Sequence, residues 1–169
     1  MTVAKKAKEF AIKAHSDINQ KYHNGPYSVH LEDVVRTFHL FKHLIPEEDW
    51  DEVEAGCWVH DVLEDTPLSW NDIRKAVNEN VADYSYALQN EKGKIRKEKA
   101  NAKYYDEMRV FKHAAFVKLC DRISNVSFSK INGSTMYNTY QKEHLFMVQH
   151  LYDGRYEEMW TALSHLIYS

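Results

Sequence analysis

The stretch Val53-Glu54-Ala55-Gly56-Cys57-Trp58-Val59-His60-Asp61-Val62-Leu63-Glu64-Asp65-Thr66-Pro67 decides how the chain is read. Val53, Cys57, Trp58, Val62 and Leu63 recur at helical spacing and are apolar enough to mark a mostly buried helix, which Thr66-Pro67 ends. Near its end stand His60 and Asp61. A carboxylate in an apolar helix is expensive without a counter-ion, and a bound metal supplies one. Glu64 and Asp65 follow four residues after His60 and Asp61, so a continuous helix aims four polar groups toward nearly one face. Clustered acidic groups repel one another in a low dielectric, and selection for stability alone gives little reason to place them there. A solvated helix end is the competing reading.

A second apolar run weakens that competitor. Ala114, Ala115, Val117, Leu119, Cys120, Ile123 and Val126 predict another core helix, ending by Asn132-Gly133, and Asp121 interrupts it as Asp61 interrupts the first. The two helices are expected to pair. Around them the periodicity predicts helix nearly everywhere. Ala4, Ala7, Phe10, Ala11 and Ala14 mark a helix to about His15, broken before a turn at Asn24-Gly25-Pro26. Leu31 to Leu44 mark a second, ending near Ile45-Pro46, with His30 at its mouth. Ser69-Trp70-Asn71-Asp72 has the form of a capping box opening a helix through Ile73 and Val77, and residues 81 to 90 suit another. Glu91 to Lys103 is a basic stretch, a loop or an exposed helix. Two helices follow, around Leu145, Val148 and Leu151 and around Met159, Trp160, Leu163, Leu166 and Ile167. No run of β alternation stands out. The expected fold is all-α, a compact helical bundle forming one domain over residues 1–169.

Composition bounds the partners. A formal charge of −3 argues against stable nucleic-acid binding through a globally basic surface. Cys57 and Cys120 form no C-x-x-C pair and read as buried thiols of a reducing, cytoplasmic setting. No apolar run reaches membrane-spanning length. Homo-oligomerisation stays open.

The residues resemble the HD-domain phosphohydrolases and, among them, the SpoT-type and small alarmone hydrolases. Pro26-Tyr27-Ser28-Val29-His30 is similar to that family's P-Y-x-x-H, His60 to Thr66 to its H-D-x-x-E-D-T, and Lys118 to Asn125 to its K-L-A-D-x-x-x-N, with Cys120 replacing the Ala. Order and spacing agree from Pro26 to Asn125, about 60% of the chain. The resemblance implies that His30, His60, Asp61 and Asp121 hold one divalent metal, in family members usually manganese. Two imidazoles and two carboxylates suit such an ion, without separating manganese from iron, cobalt or zinc. It implies further that Glu64 and Asp65 position and deprotonate the attacking water, which general-base chemistry supports. Asn125 matches a substrate-contacting Asn, with a helix-side hydrogen bond as its equal alternative. Where family members carry an Arg-Lys pair this chain has Gln20-Lys21, so Lys21 is the phosphate-binding candidate and the grip is altered. Lys94, Arg96 and Lys97 are further candidates, against the reading of a solvated charge run.

The other histidines, His15, His23, His39, His43, His113, His144, His150 and His165, are taken as structural. In the resembled family, two-metal members carry extra histidines between the His-Asp pair and the last Asp; only His113 lies there in this chain, so the resemblance implies one metal. Tyr152, Tyr156 and Trp160 are assigned to the core. The implied activity is removal of the 3′-pyrophosphate from (p)ppGpp or a related alarmone, a small nucleotide. The alternatives are a phosphatase for another ester, a deoxynucleoside monophosphate or the 2′-phosphate of NADPH, and a non-catalytic nucleotide sensor. Retention of all four presumed ligands and both water-handling carboxylates speaks against the sensor.

Overall fold

The computed structural model describes residues 1–169, which fall into two compact units, 1–89 and 90–169. In the first, α1 (Val3–Asp17) presents Ala4, Ala7, Ala11 and Ala14 as a buried stripe. Such small side chains let its backbone approach α3 (Trp50–Val59), on which it packs. Asp51 of α3 accepts from the backbone N–H groups of Val3 and Ala4 at 2.9 and 3.0 Å, satisfying donors that the first turn of α1 leaves unpaired.

The chain then forms a two-residue antiparallel ladder, β1 (Lys21–Tyr22) with β2 (Gly25–Pro26). The turn predicted at residues 24–26 therefore sits one residue earlier. His23, at φ 52°, takes the left-handed conformation, and Gly25 and Pro26 are strand. Pro26 lacks an N–H but lies in a ladder only two residues long, where little is lost. From there α2 (Ser28–Phe41) packs on α3, and a 3₁₀ turn (Lys42–Leu44) ends it.

The helix predicted through Leu63 is broken. α3 stops at Val59, and after His60 and Asp61 a one-turn α4 (Val62–Asp65) resumes. Asp61, at φ −101° and ψ 0°, carries the break, while its carbonyl still accepts from the Asp65 N–H at 2.9 Å, so the four-residue relation of the two carboxylates survives. The Ser69–Asp72 capping box opens α5 (Trp70–Ala76) as expected, and α6 (Glu79–Leu88) returns along α3. All five residues from Ala55 to Val59 are buried, as a helix packed on by α1, α2 and α6 requires.

In the second unit the basic stretch folds partly as α7 (Arg96–Lys99), followed by α8 (Ala102–Val110). The central α9 (Ala114–Ile131) is buried over most of its length. It ends at Gly133, whose φ of +63° suits a residue without Cβ. α10 (Met136–Leu151) and α11 (Glu157–Tyr168) both pack on it. Tyr156 and Trp160 are buried as expected, whereas Tyr152 lies at the surface with its hydroxyl on Glu157. Cys57 and Cys120 are free and buried.

Two consequences are measurable. A Cβ on Gly56 would stand 2.9 Å from Cγ of Tyr84 on α6, an atom too near the backbone to swing away. Gly56→Ala is therefore expected to lower stability by about 1–3 kcal/mol in chemical denaturation. In the second unit Glu143 accepts from the buried Arg122 at 3.0 Å and pairs with Arg96. Burial alone would raise its carboxyl, but the two guanidiniums hold it below the usual 4.5. That stability is present above the unfolded value and lost as pH falls through the lower folded one. Glu143→Gln is expected to cost about 2 kcal/mol at pH 7, and the gap to wild type should close as denaturation is repeated below about pH 4.

Candidate metal centre

His60 leaves the end of α3 with its Nδ1 2.7 Å from the Cys57 carbonyl, three residues back in the helix. A carbonyl oxygen only accepts, so Nδ1 carries the proton and Nε2 is left as a lone pair. That lone pair faces Nε2 of His30 at 3.3 Å and Oδ2 of Asp61 at 2.9 Å. His30, in the first turn of α2, holds its Nε2 3.6 Å from the same Asp61 oxygen. Both imidazoles are buried, at 2% and 1% exposure, and the Asp61 side chain is partly buried, at 19%. Three electron-rich atoms from two helices thus converge within 4.8 Å of one another. A proton or a cation must lie among them for the arrangement to be favourable, and the donor set of imidazole nitrogen and carboxylate oxygen fits a divalent metal.

Aromatic rings fix the imidazoles. Tyr22 of β1 stacks on His30 at 4.7 Å between centroids, and Tyr27 lies 5.4 Å from it. The Tyr27 hydroxyl donates to Oδ2 of Asp61 at 2.5 Å, a charge-assisted bond that orients the carboxylate. The tiny β1–β2 ladder earns its place here, since it delivers both tyrosines.

Asp65 stands on α4 with Oδ2 accepting from Nε2 of Gln20 at 3.0 Å. The residue as a whole is exposed, yet its carboxyl is partly shut from solvent. That desolvation, and then the Asp61 charge, raise its pKa above the ordinary range, against the hydrogen bond from Gln20. Glu64, on the same short helix, is exposed. In the second unit Asp121 is buried on α9 and accepts from Nζ of Lys118 at 3.1 Å and from Nδ2 of Asn125 at 2.7 Å. Burial would lower the Lys118 pKa, but Tyr104 and Asp121 hold it above the usual lysine range. Asn125 therefore makes a helix-side hydrogen bond to Asp121, one of the two roles expected for it.

Lys21 is exposed on β1 beside a small cleft lined by His15, Ser16, Gln20 and Tyr27. Lys94 and Lys97 are exposed as well. Arg96 pairs with Glu143 and, with Lys97, Lys142, Tyr105 and Phe146, lines a cavity of about 430 Å³ in the second unit. The sequence reading assigned no role to Tyr27, Gln20 or Lys118. Tyr27 had a signal, since it precedes His30 by three residues, one helical turn. His15, taken as structural, sits beside the site with Nδ1 2.6 Å from Oε1 of Gln20, and burial lowers its pKa.

The chain folds as an all-α protein in which His30, His60 and Asp61 cluster where the start of α2 meets the end of α3. A solved structure described as a metazoan ortholog of SpoT that hydrolyzes ppGpp and plays a role in starvation responses shares this fold. It aligns over 98% of this chain and 94% of its own at a TM-score of 0.75 and 19% identity. No family profile and no curated protein matches the sequence. No helix is long and apolar enough to cross a membrane.

If His30, His60 and Asp61 hold a cation, Mn²⁺ should raise the thermal midpoint of the wild-type protein and leave that of Asp61→Asn unchanged. At a hundredfold excess over Kd the stabilisation is about 2.7 kcal/mol, read by differential scanning calorimetry after chelator treatment.

Proposed function

We propose that the chain is a metal-dependent phosphohydrolase that removes the 3′-pyrophosphate from (p)ppGpp or a related alarmone. One observation carries the reading: the Nε2 atoms of His30 and His60, the latter freed of its proton by the Cys57 carbonyl, meet Oδ2 of Asp61 in a cluster of buried imidazoles. Its support comes also from sharing a fold with a protein described as hydrolyzing ppGpp.

In this reading His30, His60, Asp61 and Asp121 are the ligands of one divalent ion, Mn²⁺ by preference, and residues 1–169 act as one functional domain. The case for Asp121 is its place in the ordered motifs and its burial as a carboxylate in an apolar helix. A bound ion supplies Lewis acidity, lowering the pKa of water and drawing charge from a phosphate. Asp65, with its raised proton affinity, is suited to accept the proton of an attacking water, and Glu64 to orient that water. Tyr27 keeps Asp61 in the orientation the cation needs. Lys21, Asn125, Lys94, Arg96 and Lys97 are assigned to the nucleotide, whose phosphates require cationic partners. The buried thiols of Cys57 and Cys120 suit a reducing, cytoplasmic setting.

Gln20 gives a second reading its footing. A neutral amide engaged with Asp65 stands where the resembled family carries Arg, so a less heavily charged ester, a deoxynucleoside monophosphate or the 2′-phosphate of NADPH, is the alternative substrate.

A nucleotide panel assayed with Mn²⁺ tests both. Pyrophosphate released from ppGpp is the expected product, and inorganic phosphate alone from another nucleotide would transfer the assignment to the second reading. Glu64→Gln/Asp65→Asn should lower turnover at least a hundredfold, on the order of what one general base supplies, with metal uptake retained. Equal, negligible turnover in wild type and variant would instead mark a nucleotide sensor.

A further inference from the structure

Helix α1 ends in a left-handed turn built on an asparagine. Asn19, at φ 51°, donates its N–H to Ser16 O at 2.9 Å, and the Gln20 N–H reaches back to His15 O at 3.0 Å. Those two bonds make a Schellman motif, which sets the residue after the left-handed position beside the third-last helical residue. In most such ends the pair meets through an apolar contact. Here the pair is His15 and Gln20, and they meet through Nδ1 and Oε1 at 2.6 Å.

The far side of the same amide donates from Nε2 to Oδ2 of Asp65 at 3.0 Å. An amide oxygen only accepts and an amide nitrogen only donates, so the polarity of the chain is set: His15 Nδ1–H to Gln20 Oε1, then Gln20 Nε2–H to Asp65. His15 must therefore be the neutral Nδ1–H tautomer, whose Nε2 lone pair is buried without a hydrogen-bond partner. A histidine kept only for packing has no reason to accept that cost. The ring lies 4.4 Å from that of Tyr27, so the group that holds Asp61 and the group that holds Asp65 are braced against each other. The Gln20 backbone is pinned as well, its carbonyl accepting from Tyr27 N at 3.3 Å.

We infer that Gln20, oriented by His15, is a positioning residue for Asp65. By holding Oδ2 it fixes the orientation of the carboxyl that is to accept the proton. This rests on the hydrolase reading, in which Asp65 receives the proton of water. Gln20 thereby serves the base, and phosphate recognition falls to Lys21 beside it.

The test uses the full-length chain. Long-range ¹H–¹⁵N correlation of the histidine side chains should show His15 as the Nδ1–H tautomer in wild type, and as a different tautomer mixture in Gln20→Ala. Gln20→Glu keeps the size and the acceptor toward His15 but replaces the donor to Asp65 by an oxygen. With Mn²⁺ and ppGpp, both variants should lose about tenfold to a hundredfold in kcat with KM within about twofold, since the lost contact serves the transition state. In an Asp65→Asn background, Gln20→Ala should change kcat by less than about twofold, because its partner is gone. Wild-type kcat in Gln20→Glu, full additivity with Asp65→Asn, or an Nε2–H tautomer at His15 would each overturn the inference. A wild type inert toward every nucleotide would defeat the hydrolase reading and the rate prediction with it, while the tautomer would still decide whether the His15–Gln20–Asp65 chain exists.

Discussion

Everything at the site depends on a hydrogen bond that does not touch it. The Cys57 carbonyl takes the proton of His60 Nδ1, and by doing so leaves Nε2 bare toward His30 and Asp61. With the opposite tautomer, the ring would present an N–H to Asp61 and settle into an ordinary hydrogen bond. The carbonyl is available because α3 ends at Val59, one residue before His60, and the last carbonyls of a helix have no partner within it. The end of a buried helix thus becomes the device that keeps a ligand atom ready.

The same economy recurs at the end of α1, where a turn needed to stop a helix also seats Gln20 against Asp65. It recurs in the β1–β2 ladder, too short to stabilise much by itself, which brings Tyr22 and Tyr27 against His30. Stability and site geometry are drawn from the same contacts. Even the packing of α3 follows this rule, since Gly56 lets Tyr84 sit against the helix that carries His60.

Helix periodicity made most of this fold legible. The alanine stripe of α1, the capping box of α5 and the glycine stop of α9 all appear in the sequence as patterns with a mechanism. The break at His60–Asp61 did not, because neither residue is a helix breaker and the apolar periodicity runs on through Leu63. The turn was misplaced by one residue because Gly25 and Pro26 advertise a turn more loudly than His23, which adopts the strained conformation. At the site, His30, His60 and Asp61 could be picked out as an ordered set of chemically expensive residues. His15 and Gln20 could not, since their link is made by a left-handed residue between them and neither looks costly in isolation.

Asn19 also fixes how this part of the chain can vary. The four residues from Ser16 to Asn19 are a measured spacer: one residue more would put a different side chain at the place from which Gln20 reaches Asp65, and one fewer would remove the backbone bond to His15. Substitutions at Ser16, Asp17 and Ile18, which are exposed, are cheap, but replacement of Asn19 by anything other than glycine, and any change in the length of the spacer, is not. In a lineage of such chains, gaps should be absent between His15 and Gln20, and the position of Asn19 should keep asparagine or glycine even where its neighbours diverge.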